Sequence, residues 1–487
     1  MALTRIAVER GTGKPLYRQL REALEHEIAV GALDPAQPLP SSRELARELG
    51  LSRNTVNTAY LELESEGFVE AVERRGLFVN REMLSQLKTG ETAPRATPVD
   101  WASHLPPRPD AGVPEIAKVR DWHRYPYPFV AGQVDLSSFP RLAWTRALRE
   151  SLEGPHLHYS LRDGIDEDDP MLVEELCRHV LPARGIEVSP DQVLVTLGSQ
   201  QGLDLLAHTL VRPGSVVGVE DPGYPDARHI FARAGARLSF IEVDRSGLVP
   251  PEDLTGVDFL HLTPSHHSPT NVTLSIARRR QLLALAQAGD LLLIEDDYDS
   301  EFRYQGSPTP ALKALPDSER VVYLGTFSKF LAPGLRLGYL VAAPELVGEL
   351  RRQRRYRVRH ASGHTQRAMA LLIASGQYHR TVRRRRTNLA QRWATLRSSL
   401  AEELDWPVDA PPGGVSIWVD GPPALDCAEL AREALAHGVV LERGDVYYAH
   451  PETHRNHLRL GFAAISPDAI APGVRIIARL VREQLAR

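Results

Sequence analysis

The stretch "VVYLGTFSKFLAPGLRLGYL", residues 321–340, carries a single lysine, Lys329, between an apolar β-branched run and a Pro-Gly turn. A lysine chosen at random is a solvated charge. This one ends a run whose composition predicts a buried strand. A buried ammonium loses the hydration that favours its charge, so its pKa falls and the amine becomes a nucleophile toward carbonyls. Thr326, Ser328 and Arg336 bracket it with two hydroxyls and a guanidinium, at a spacing able to ring a phosphate. An amine that can capture an aldehyde beside a phosphate site is what pyridoxal 5'-phosphate requires.

Such a site needs three more parts, and each occurs after a predicted strand. "TLGSQQGLDLLAH" runs from strand through Gly198, Ser199 and Gln200 into an apolar-periodic helix, and a helix N-terminus offers free N–H groups to a phosphate. "LLLIEDDYDSEF" puts Asp296 or Asp297 at a strand end as the anion for a protonated ring nitrogen, with Tyr298 for the ring hydroxyl. Tyr224 in "EDPGYPDAR" is the aromatic face for stacking. Short strands alternating with helical stretches predict an α/β unit with a mainly parallel central sheet and its chemistry at the strand C-termini. Beyond about residue 390, "GGVSIWVD" and "HLRLGFA" among helical stretches predict a small C-terminal α+β subdomain. Adjacent histidines point apart on a strand and no third ligand accompanies His266 and His267, so no metal is expected.

Ahead of this unit, residues 82–118 are rich in Pro, Thr and Ala without sustained period and read as a linker. The chain therefore divides into residues 1–81, a linker 82–118, and residues 119–487. In the front part, Leu16, Leu20, Ala23, Leu24 and Ile28 share one helical face. "LPSSRELARELG" and "LSRNTVNTAYLELESEGFV" follow as two short helices around Gly50, with Ser52 as N-cap of the second. That is a helix-turn-helix, whose second helix enters the major groove of double-stranded DNA. Its first turn offers Arg53, Asn54, Thr55 and Asn57 beside Ser52. "GFVEAVERRGLFVN" predicts a hairpin wing with Arg74, Arg75 and Gly76 at the tip. Ten basic against twelve acidic side chains precede residue 81, so the DNA reading rests on the order of elements and not on a basic footprint.

The bulk numbers agree with a globular chain of more than one domain: 487 residues, 43% hydrophobic, 25% charged and a net charge of −4. No apolar run reaches the roughly eighteen residues of a membrane span, and no secretory signal is expected at the N-terminus. Two cysteines, Cys177 and Cys427, fit a reducing cytoplasm better than a disulfide framework. The arginine-rich stretches 351–360 and 383–388 are expected to be solvated helix faces, with docking of DNA as the alternative.

"LPSSRELARELGLSRNTVNTAYLELESEGFV…RRGLFV" resembles the GntR-type winged helix-turn-helix, which implies DNA contacts at Arg43, Arg53 and Gly76. From about residue 120, "SK" with "PGLRLGY" and "EDDYDSEF" resemble the fold-type I, class I/II aminotransferases. This second resemblance implies Lys329 as the Schiff-base lysine, Arg336 on the phosphate, Asp296 at the pyridine nitrogen, and Arg459 of "HLRLGFA" on an effector α-carboxylate. It also implies Tyr159 reaching the phosphate of a partner subunit. The two together resemble the MocR-type transcription regulators, and "TPSHHSPTNVTLS" strengthens the match: Ser268 precedes Pro269 where free-standing aminotransferases have Asn-Pro, leaving His266 or His267 as stand-ins. The resemblance implies a homodimeric, cytoplasmic regulator, and not an enzyme, in which an effector amine or amino acid replaces Lys329 on the cofactor as an external aldimine. A working aminotransferase with an appended reader is the alternative.

Overall fold

The computed structural model describes residues 6, 8, 9, 13–84, 99–110, 112–306 and 309–487. The chain forms two units, Met1–Pro106 and Pro107–Arg487. Of the stretch expected to be a linker, residues 85–98 and 111 lie outside the described residues; Trp101–His104 is a single helical turn.

The front unit contains helices α1 (Leu16–Ala29), α2 (Ser42–Leu49) and α3 (Arg53–Ser65) and a hairpin of β1 (Val69–Val72) and β2 (Gly76–Val79). Leu20, Leu24 and Ile28 of α1, Leu45 of α2 and Val56, Ala59 and Leu63 of α3 close one core with Val69 and Val79. Helix α2 starts with a reciprocal capping box between Ser41 and Glu44 and stops at Gly50, whose φ of +65° is the left-handed conformation that favours glycine. Ser52 caps α3 as expected, accepting from Thr55 N at 3.1 Å. The Tyr60 hydroxyl donates to the Pro40 carbonyl at 2.9 Å and fixes α3 against the entry to α2.

The large unit is built on an eight-stranded sheet of order β4 (Val193–Thr196), β11 (Gly338–Val341), β10 (Val321–Thr326), β9 (Leu292–Asp297), β8 (Phe259–Leu262), β5 (Val216–Asp221), β6 (Arg237–Asp244), β7 (Gly247–Leu248). Strands β10, β9, β8, β5 and β6 run parallel. Strand β11 is antiparallel to both β10 and β4, so β4 points the same way as the parallel set. Helices cover both faces, which is why these strands are apolar nearly throughout. Leu194, Leu324 and Leu340 enter one core, while Val193, Val195, Tyr323, Tyr339 and Val341 enter the other. A smaller sheet of β12 (Ser416–Asp420), β15 (His457–Gly461) and β14 (Glu442–Arg443) forms the C-terminal α+β part. A short pair of β3 (Tyr127–Pro128) with β13 (Val439–Val440) joins residues near both ends of the unit.

Six of the ten arginines in the two arginine-rich stretches are exposed, as expected of solvated faces, but Arg354 and Arg385 are buried. Arg354 is fully buried and bonded to Asp168 and to the Val195 carbonyl at 2.6 Å, and Arg351 reaches the same Asp168 at 3.0 Å. Arg357 donates to Asp204 at 2.8 Å, and Arg359 pairs with Asp163. Arg385 is buried and donates to the carbonyls of Phe330 and Leu331, directly after the lysine. Arg354 thereby ties its helix to β4, and the others hold loops and a neighbouring helix; sequence could not show it because the acceptors lie 54 to 196 positions away. Among the described residues, no helix is long and apolar enough to cross a membrane.

Candidate functional site

Parallel strands bring their C-terminal ends to one edge of the sheet, and the candidate residues collect there. Ser199, Tyr224, Thr263, Ser268, Asp296, Tyr298, Lys329 and Arg459 line one pocket. Lys329 follows β10, all six of whose residues are buried. Enclosure pushes the amine down to about 8, helped by the positive charges of Arg459 and Lys118. The amine lies 5.9 Å from the centre of the Tyr298 ring.

Asp296 and Asp297 separate because neighbouring residues on a strand face opposite ways. Asp297 points away from the pocket, accepting from Arg184 at 2.8 Å and from the Tyr323 hydroxyl at 2.7 Å. Asp296 lines the pocket; its Oδ1 is buried with no hydrogen-bond partner, and its Oδ2 stands 3.9 Å from His261 Nε2. The Tyr298 hydroxyl and Ser328 Oγ are likewise buried without partners. Buried polar atoms are nearly always satisfied, so three orphans beside one amine mark a place shaped for a polar ligand.

The end of the site at Gly198 and Arg336 is set by close backbone approach. Gly198, at φ +108°, precedes the helix Ser199–Leu210. A Cβ on Gly198 would stand 3.5 Å from an Arg336 guanidinium nitrogen and 3.7 Å from Thr326 Oγ1. A Cβ on Gly338 would come within 2.7 Å of Gly198 Cα. Side chains at these glycines would fill the cradle that Arg336, Thr326 and the helix N-terminus form. Ser328 N donates to Thr326 Oγ1 at 3.2 Å, folding the lysine turn back on the strand. Gln200 is exposed in the first turn of that helix, its amide 3.4 Å from Asp226.

On the opposite wall, Arg459 donates from Nε to Ser416 Oγ at 3.0 Å and from Nη1 to the Tyr447 hydroxyl at 2.8 Å. Tyr224 precedes the helix Pro225–Arg233, and its hydroxyl donates to Asp226 at 3.0 Å. Tyr159 is not brought to this pocket within its own chain. It lies between two guanidiniums, 4.3 Å from Arg367 and 4.7 Å from Arg162.

Neither histidine of "SHHS" lines the pocket. His266 Nδ1 bonds Asp299 at 2.9 Å and its Nε2 crowds Gly413, where a Cβ would come within 2.2 Å. His267 bonds Thr270 at 2.7 Å, and burial pushes it down to about 3. Ser268 and Thr263 occupy the wall instead, Ser268 N donating to Thr263 Oγ1 at 2.9 Å. Sequence reading missed Thr263 and His261. Their signal was the short apolar run "FLHL", which becomes β8 between the two strands already recognised.

In the front unit, Arg43, Ser52, Arg53 and Asn54 are exposed, and Thr55 and Asn57 are partly so. Arg53 Nε reaches Ser42 Oγ at 3.5 Å, linking the starts of α2 and α3. The hairpin pairs Val72 with Gly76, leaving Glu73, Arg74 and Arg75 as its tip. Arg74 has a positive φ of 60° and is 92% exposed; the Arg75 guanidinium lies 5.4 Å from the Phe78 ring centre.

Comparison with known proteins matches residues 16–79 to the bacterial regulatory proteins of the gntR family and residues 137–477 to aminotransferase class I and II. The chain is 39% identical to the HTH-type transcriptional regulator TauR of Rhodobacter capsulatus, over 96% of each chain. It is 31% identical to the probable rhizopine catabolism regulatory protein MocR of Rhizobium meliloti, over 96% of this chain and 94% of that one. Among solved structures, the α-aminoadipate aminotransferase LysN of Thermus thermophilus, complexed with N-(5'-phosphopyridoxyl)-L-leucine, superimposes with a TM-score of 0.70 at 27% identity, covering 80% of this chain and all of that one. With both family models in one chain and relatives matched over nearly their whole length, the chain belongs to the MocR-type HTH transcriptional regulators, DNA-binding regulators that join a gntR-family reader to an aminotransferase class I and II unit.

Proposed function

We propose that this regulator holds pyridoxal 5'-phosphate on Lys329 and changes its DNA binding when an amine or amino acid takes the lysine's place. The observation that carries this is the set of orphaned buried atoms, Asp296 Oδ1, Tyr298 OH and Ser328 Oγ, around an enclosed amine with a lowered pKa. When bound, the cofactor supplies an aldehyde that condenses with primary amines.

The chain's own residues do the rest. Gly198, Ser199 and Gln200 present a helix N-terminus to the phosphate, with Thr326, Ser328 and Arg336 around it. Tyr159 of a second copy in a homodimer completes that side. Asp296 keeps a proton on the ring nitrogen, and Tyr298 hydrogen-bonds the ring oxygen. Tyr224 stacks on the ring face. Arg459, oriented by Tyr447 and Ser416, holds the effector carboxylate. Arg43, Ser52, Arg53, Asn54, Thr55, Asn57, Arg74, Arg75 and Gly76 face operator DNA, with residues 1–81 as reader, 82–118 as linker and 119–487 as effector unit.

The aminotransferase alternative keeps Lys329, Asp296 and Arg459 in the same roles. Ser268 on the pocket wall favours regulation, because a hydroxyl replaces the side-chain amide of the Asn-Pro pair. The test is reduction of the loaded protein with borohydride and peptide mapping. The label is expected on Lys329, and a label elsewhere overturns the reading. Steady-state assay with amino donors and 2-oxo acids separates the alternative: multiple turnover on the order of 1 per second would establish an enzyme.

A further inference from the structure

One described stretch, Arg108–Asp110 and Gly112–Lys118 at the start of the large unit, acts on the Lys329 amine only through the charge of Lys118 and is otherwise unassigned. Asp110 is only 2% exposed among exposed neighbours. Its carboxylate accepts from His229 Nδ1 at 2.8 Å, and Arg108 and Arg233 stand 3.6 Å away. The other nitrogen of the same imidazole lies 3.1 Å from the Pro114 carbonyl. One ring therefore grips the stretch at two points. Arg108 also donates to Glu115 at 2.8 Å, bracing the stretch between them.

The landing points are not arbitrary surface. His229 and Arg233 belong to the helix Pro225–Arg233, whose N-cap is Tyr224 on the pocket wall. At the other end, Ile116 packs against Trp418, Val446 and Tyr447. The Tyr447 hydroxyl is the group that accepts from Arg459. The two landings are themselves tied: Gly223 N donates to the Tyr447 carbonyl at 2.8 Å, and Ala449 N to Asp221 at 2.8 Å. A single short stretch thus rests on the elements bearing both walls of the Lys329 pocket, and continues in sequence toward the reader.

We infer that residues 107–110 and 112–118 form a strap that transmits occupancy of the Lys329 pocket to the DNA reader, clasped by Asp110 on His229 and seated by Ile116 on the cluster of Trp418, Val446 and Tyr447. This rests on the function proposed above. Filling the pocket orders Tyr224 and Arg459, and the strap, anchored behind both, is ordered with them. Such coupling extends only as far as the ligand favours one arrangement of these anchors over another.

The test is amide hydrogen exchange on the full chain, with and without pyridoxal 5'-phosphate, while visible absorbance reports loading. In the wild type, loading slows exchange in peptides from 107–118 by at least about fivefold and changes exchange within 13–84. In Asp110→Ala the absorbance is retained, the strap exchanges rapidly in both states, and the change within 13–84 is gone. Ile116→Ser gives the same loss from the other anchor. Absorbance without a change in the strap, or a reader response that survives both variants, overturns the strap alone. Failure of the wild type to develop absorbance overturns the cofactor reading, and the strap with it.

Discussion

The reader and the pocket expose their functional groups in opposite ways. Every DNA-facing candidate of the front unit lies in or directly before one of two helices or in one hairpin, at positions that reach solvent. The pocket draws Ser199, Tyr224, Thr263, Asp296, Lys329 and Arg459 from six separate places in the chain, burying three of them and half-burying the rest. A reader meets a large charged partner at its surface, where exposed cations act without a desolvation cost. A site that tunes an amine must exclude water, and only long-range packing does that. The first kind of site can be read from neighbours in sequence, whereas the second requires the fold.

The sharpest break between the two is Lys329→Ala. Cofactor capture, followed by visible absorbance, should be lost entirely, while DNA binding by the reader persists. Loss of both together would mean that the units are not separable.

A lesser effect comes from the other side. Arg53→Ala should weaken operator binding by about 1–3 kcal/mol, roughly five- to 150-fold in affinity, with the cofactor absorbance unchanged. Gel-shift titration at fixed salt beside a spectrum of the same sample measures both.

The pH dependence separates the regions further. A neutral amine is needed for capture, and the Lys329 amine titrates near 8 instead of its usual 10.5. The rate of cofactor capture should therefore climb roughly tenfold per pH unit below 8 and level off above it. The same shift acts on stability. The folded state binds fewer protons than the unfolded one between about pH 8 and 10.5, so stability rises with pH across that window. The cost of the enclosed amine at neutral pH is at most about 3 kcal/mol. A capture rate that keeps climbing about tenfold per unit through pH 9, with no plateau above 8, would show the amine to be ordinary.

The smallest expected effect is Ser41→Ala, which removes the α2 capping box and should cost the front unit about 1 kcal/mol. Two thermal transitions, only the front unit's being shifted, would sharpen the comparison.

Much of the architecture was legible because it follows from local pattern. The helix face Leu20, Leu24, Ile28, the Ser52 cap, the wing tip and the strand at 321–326 form where expected. The pocket was legible as a set of parts, each after a strand, because parallel strands must open on one edge. Two arginines within the otherwise solvated stretches escaped the reading for the reverse reason. Their charge suggested water, but Arg354 and Arg385 find distant carboxylate and carbonyl partners that compensate for burial.

Sequence alone determined the order of the two units, the α/β pattern, the helix-turn-helix and the identity of the amine, since these depend on periodicity, caps and the company a lysine keeps within a few residues. Tertiary structure decided which of two adjacent aspartates meets the pocket, why Ser268 and not His266 or His267 lines it, and where residues 107–110 and 112–118 come to rest. A strand's pleat says only that Asp296 and Asp297 face apart. Which face looks onto Lys329 is set by the neighbours β8 and β10 and by Arg184, more than a hundred residues earlier, which claims the other carboxylate.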